Sequence, residues 1–141
     1  GLDGARLRLL AGRVLAVHRA IAGHTFVELF HELKEVYGFG ARTAFMLTMR
    51  ALRAGGFTKD ACYLRGLKSL LEQLGAGVAI ESLFVGKISL ESLPVIEELL
   101  GRGVLHEMPV QPLFLLEESA RARLERLRGG MAVETLAEES A

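Results

Sequence analysis

Apolar positions along this chain recur every three or four residues, the spacing of one face of an α-helix, and rarely alternate as in a half-buried strand. Leu7, Leu10, Val14, Val17 and Ile21 form the first stripe, and Gly23 ends it. Thr25 and Glu28 then fit the S/T-x-x-E capping box, in which each side chain satisfies a backbone amide of the other residue. The following helix is expected to bury Phe26, Leu29, Phe30, Leu33 and either Val36 or Tyr37, with Gly38 and Gly40 terminating it. A third helix is predicted over 41–54, with Phe45, Met49 and Leu52 on one side and Gly55-Gly56 closing it. Thr58 caps a fourth, whose inner face is Tyr63 or Leu64, Leu67, Leu70 or Leu71, and Leu74, before the turn Gly75-Ala76-Gly77.

Residues 80–101 read as two short helices, "ESLFVGKIS" and "ESLPVIEELL", with Pro94 tolerated near the start of the second. The stretch "GVLHEMPVQPL", 103–113, has two prolines and no helical period, so it is an expected extended connection. A charged amphipathic helix covers 117–128, and Gly129-Gly130 precedes a frayed tail. Strand pairing is limited to a few residues near Val104 or Val110. The pattern predicts an all-α fold, a compact array of about six to seven helices forming one domain over 1–141.

Composition narrows the partners. The 141 residues suffice for one domain with a real core. Apolar residues make up 50 %, and 17 basic side chains balance 17 acidic ones. That balance gives no electrostatic footprint for nucleic acid and no polybasic patch for a membrane. No stretch reaches the ~18 uncharged apolar residues of a membrane span, and no secretory leader opens the sequence. Cys62 is the sole cysteine, which excludes a disulfide framework and a cysteine-rich zinc site. A single thiol fits a reduced, cytoplasmic setting, and Cys62 itself is expected to be a small buried core residue.

His31-Glu32 invites comparison with a zinc-protease helix, where a second histidine one turn on faces the same metal. Glu35 stands at the HExxH position and Val36 at the HExxxH position, so both residues read as ordinary surface-helix positions. His18, His24 and His106 lack partners at ligand spacing, and no metal site is expected in this chain. There is no phosphate-binding G-x-x-x-x-G-K-[ST] loop and no serine in a nucleophile elbow.

"GGFTKDACYLRG", 55–66, is different. With Thr58 as N-cap, the first amides of the fourth helix point outward, an arrangement that attracts anions. Lys59 adds a positive charge there, against the helix dipole by roughly 0.3–1 kcal/mol. Tyr63 lies one turn on and on the same face, so ammonium and phenol can converge on one ligand. Asp60 can hold first-turn amides or orient Arg50 or Arg53, and Gly66 allows close helix approach. The residues point to a carboxylate- or phosphate-binding corner; a capped helix with a solvated lysine is the plainer reading. In "FVGKIS", Lys87 follows a glycine inside an apolar run and is expected either to bond helix-end carbonyls or to join Lys59.

The run from "LRLLAGRVLAVHRAIAGHTFVELFHELKEVYGFGARTAFMLTMRALRAGGFTKDACYLRG" to "LFVGKISLE" resembles the C-terminal part of the QEGLA-motif family. Its bacterial members are described as flavohaemoglobin expression-modulating proteins, and its animal relatives include the microtubule-associated tyrosine carboxypeptidases. The resemblance covers almost the whole chain and is weakest after about residue 117. It implies a zinc metallopeptidase whose ligands are two histidines of an HExxxH helix and a glutamate of the QEGLA motif. None of these is present here, so the resemblance implies a fragment beginning just after the QEGLA segment, inactive alone, with zinc in the intact protein and none in this chain. Lys59, Asp60 and Tyr63 match the family's K-D-x-x-Y pattern, and Lys87 its G-K-I lysine.

Two functional classes follow. In the first, Thr58, Lys59, Asp60, Tyr63, Arg50 and Lys87 form the substrate side of a carboxypeptidase, with Tyr63 donating to the carbonyl or its oxyanion. The expected partners are a C-terminal peptide carboxylate, the remaining N-terminal part of the same protein, and a second copy covering an exposed apolar face. In the second, the chain is a non-enzymatic helical interaction or regulatory module.

Overall fold

The computed structural model describes residues 3–54, 57–106, 110 and 112–138. Among them there is no strand, and the chain is all-α: α1 Gly4–Ile21, α2 Phe26–His31, α3 Ala41–Leu52, α4 Lys59–Gly75, α5 Leu93–Gly101, α6 Glu118–Arg128 and α7 Val133–Glu138. No helix among the described residues is long and apolar enough to cross a membrane. They fall into two compact units, one running to Gly66 and taking in the chain from Glu134 on, the other Leu67–Val133.

In the first unit, α3 packs against both α1 and α2. Its core is Ala16, Val17, Leu29, Leu33, Ala44, Leu47 and Ala51. Asp3 caps α1 by accepting the Arg6 amide at 2.8 Å. The predicted capping box starts α2: the Glu28 carboxylate accepts the Thr25 amide at 2.8 Å, and the Thr25 hydroxyl accepts the Glu28 amide at 3.4 Å.

The bulk of the side chains misleads about which faces are buried. On α1 the buried positions are Gly4, Leu7, Gly12, Ala16 and Val17, while Ile21 is exposed. On α3 they are Ala44, Leu47, Thr48 and Ala51, whereas Phe45 and Leu52, which share one side of the helical pattern, are exposed. Small side chains let the two helix axes approach; a row of Phe, Met and Leu would hold them apart. Thr48 is tolerated inside because its hydroxyl donates to the Ala44 carbonyl at 2.9 Å. Phe45 instead packs against Phe26 in a T-shaped pair, with ring centroids 5.4 Å apart.

After α2 the chain widens into a π-helix, Glu32–Val36. The Tyr37 amide reaches the Glu32 carbonyl at 3.2 Å, and the Phe39 amide reaches Leu33 at 3.0 Å. The wider turn rotates later side chains off the α-helical stripe. Val36 is therefore 72 % exposed and Tyr37 is exposed too, so neither completes the face begun by Leu29 and Leu33. Gly38 supplies the left-handed turn (φ 64°) that ends this segment. Arg8 clamps the exit: its Nη2 donates to the Tyr37 carbonyl at 2.6 Å and to Gly38 at 3.2 Å, with its guanidinium 5.0 Å from the Phe39 ring centre. The predicted Gly55-Gly56 stop of α3 lies outside the described residues.

In the second unit, Leu71, Leu74, Leu93 and Leu115 are buried. The predicted helix over "ESLFVGKIS" is a 3₁₀ turn, Ile80–Val85, that stops before Gly86. A second such turn, Leu90–Ser92, leads into α5, where Pro94 sits in the first turn as expected. A third, Leu113–Leu116, begins at the last residue of the predicted extended connection, of which 107–109 and 111 lie outside the described residues. Arg121 Nε donates to the Leu115 carbonyl at 2.6 Å, tying α6 to that turn. Val133–Glu138 is helical where the pattern suggests a frayed tail.

Candidate functional site

The first turn of α4 is anchored in the first unit by an acid that the sequence places beside the lysine. Asp60 is 5 % exposed. Its Oδ2 lies 3.3 Å from Nη2 of Arg50 on α3, and its Oδ1 lies 3.7 Å from Nη1 of Arg13 on α1. A carboxylate removed from water needs such partners, because an isolated buried charge is prohibitively costly. Three helices thus contribute one charge each to a single cluster. Both arginines remain partly open to solvent, with side-chain exposures of 35 % for Arg13 and 43 % for Arg50. Of the two arginines that Asp60 was expected to orient, Arg50 makes the contact; Arg53 does not.

Thr58 precedes the helix, and its carbonyl accepts the Cys62 amide at 2.9 Å, closing the first turn. Lys59 is exposed, and its Nζ lies 5.9 Å from the centre of the Tyr63 ring. That is the outer range of a cation–π contact, worth ~0.5–1 kcal/mol at an exposed site. The i, i+4 spacing therefore brings ammonium and phenol to one side of the helix, as the sequence predicts. Tyr63 is 60 % exposed, so Leu64 takes the inner position and the phenol stays accessible. Lys59, Arg13 and Arg50 set three cations against the one carboxylate of Asp60, so this end of α4 carries a surplus of positive charge.

Other candidates fare differently. Cys62 is exposed, not a core residue, because it lies on the solvent side of α4 from Asp60; Arg65 Nη2 approaches its sulfur at 3.6 Å. Gly66 makes no close approach: a Cβ added there meets open space. Lys87, in the second unit, is exposed after Gly86 and has no hydrogen bond or ion pair among the described residues, so it does not bond helix-end carbonyls there.

The His31-Glu32 pair, at the junction of α2 and the π-helix, is otherwise engaged. His31 Nδ1 and Glu35 Oε1 are 2.9 Å apart, and this hydrogen bond and the charge of His31 hold the Glu35 carboxyl below its ordinary range. Glu32 takes Arg19 in a bidentate pair, with Oε1 2.9 Å from Nε and 2.7 Å from Nη2. Its side chain is only 18 % exposed, so Glu32 is not the ordinary surface residue the spacing suggests. Among the described residues no group of three or more His, Cys, Asp or Glu side chains could hold a metal ion, and a zinc centre does not fit them.

Arg13 is the member of the cluster that the helical pattern does not single out. Its signal is local and slight: a charge in "AGRVLAV", beside the buried stripe of α1, which must find a partner.

A family model described as microtubule-associated tyrosine carboxypeptidase matches residues 1–132. No curated protein and no solved structure matches the chain.

Proposed function

The chain belongs to the microtubule-associated tyrosine carboxypeptidase family, and on that footing we propose that it supplies the substrate-carboxylate side of a carboxypeptidase site. Lys59 binds the terminal carboxylate of a peptide, assisted by the first-turn amides of α4 and the surplus charge of Arg13 and Arg50. Tyr63 donates its hydroxyl to the carbonyl oxygen of the scissile bond, or to the oxyanion that develops there. The zinc-holding residues and the general base belong to parts of the protein outside this chain, which by itself binds but does not hydrolyse. The supporting observation is the placement of the Lys59 ammonium 5.9 Å from the Tyr63 ring at an exposed helix start.

The test compares a fluorescent peptide ending in a free carboxylate with the same peptide amidated. The free acid should bind about tenfold more tightly, the worth of one charge-assisted hydrogen bond, and Lys59→Ala should remove most of that preference. Equal affinity for the two peptides would reject the carboxylate reading in favour of a non-enzymatic interaction module. Hydrolysis by this chain after zinc addition would reject the assignment of metal and base to other parts of the protein.

A further inference from the structure

We propose that Asp60 is a positioning residue: held between Arg13 and Arg50, it fixes the first turn of α4 on α1 and α3 and so sets where Lys59 and Tyr63 stand. This rests on the reading of those two side chains as the carboxylate-binding pair. Lys59 immediately precedes Asp60 and Tyr63 follows within one turn, so any roll or lift of the helix start moves both. The turn has few other attachments. Among its neighbours Thr58, Lys59, Cys62 and Tyr63 are all exposed, and Asp60 is the buried position. Asp60 is also the only carboxylate in the first turn of α4, and its two contacts diverge, Oδ1 to α1 and Oδ2 to α3. Two ties in different directions restrain rotation as well as separation, which one salt bridge would not. With its carboxylate nearly sealed from solvent, Asp60 is a poor direct contact for an anionic substrate and a good strut for the cations that make one.

The chain carries its own probe. Cys62 is the sole cysteine and lies exposed in the same turn, so a nitroxide attached there reports the mobility of the helix start. In Asp60→Asn and in Arg50→Gln the label should become more mobile. In Arg53→Gln, at the end of α3 and outside the cluster, it should not change. Unchanged mobility in the first two variants would overturn the proposal whatever the peptides do.

The second readout is the free-acid to amide preference of the peptides. A fall in the folded fraction weakens both apparent affinities by the same factor, so their ratio is insensitive to simple loss of stability. Asp60→Asn should reduce the ratio several-fold, and in a Lys59→Ala background it should have little further effect, because Asp60 acts through Lys59. A ratio retained in Asp60→Asn but lost in Lys59→Ala would overturn the positioning role and leave the carboxylate site standing. A wild-type ratio near one would remove the carboxylate site, while the label would still report whether Asp60 holds the helix start.

Discussion

The Asp60 carboxylate meets Nη2 of Arg50 at 3.3 Å, a contact across ten residues that joins the start of α4 to the end of α3. Arg13 is farther from the same carboxylate, at 3.7 Å. Arg50→Gln should therefore destabilise the chain more than Arg13→Gln. Because Arg50 is itself half open to water, the loss should fall below the 3–5 kcal/mol of a fully buried pair, at about 1–2 kcal/mol. Arg53→Gln should stay within about 0.5 kcal/mol of the parent. Urea midpoints of the three variants test the order; an Arg53 effect equal to that of Arg50 would contradict it.

Gly12, buried on α1, leaves no room for a side chain. A Cβ there would sit 2.6 Å from Phe39 Cζ and 3.1 Å from Leu47 Cδ1. Gly12→Ala gains about 1 kcal/mol of helix propensity and incurs about 1–3 kcal/mol of overpacking. Arg8 lies over the Phe39 ring and Leu47 is buried, so neither side chain yields freely. The balance should be a loss of about 1 kcal/mol, read as a lower melting temperature. A higher one would show that Phe39 swings aside.

Ala54 closes α3 in the left-handed region, with φ 58°. An L-residue there is disfavoured by about 1–2 kcal/mol, and part of any relief from glycine is returned as extra freedom of the unfolded chain. Ala54→Gly should stabilise by about 0.5 kcal/mol. A fall in the urea midpoint would mean that the unfolded-state term dominates.

The capping box makes α2 sensitive to acid. Hydrogen bonds from the Thr25 amide and then the Thr25 hydroxyl hold the Glu28 carboxyl below its ordinary value of 4.5. Its stabilising effect is therefore complete above that value and is lost as pH falls through the lower folded-state value. Glu28→Gln should flatten this part of the acid limb of stability against pH. An unchanged slope would assign that limb to other carboxylates. At neutral pH, Thr25→Ala should cost about 1 kcal/mol, as for other lost N-caps.

Local chemistry in the sequence determined most of the helices, the Thr25–Glu28 cap, the glycine stop at Gly38, Pro94 at the start of α5, and the pairing of Lys59 with Tyr63, whereas Gly40, expected as a second stop, is the N-cap of α3. Each depends on residues within one turn of each other, where backbone geometry alone dictates who meets whom. The tertiary structure decided which faces went inside. Ala44, Leu47, Thr48 and Ala51 face inward while Phe45 and Leu52 stay exposed, because helix approach rewards small side chains, and the π turn swung Val36 and Tyr37 outward. It also decided the partners of the charges. Arg13 with Asp60 and Arg19 with Glu32 are contacts between separate helices, and no local pattern encodes them because burial and electrostatics select the pair only after the helices have packed.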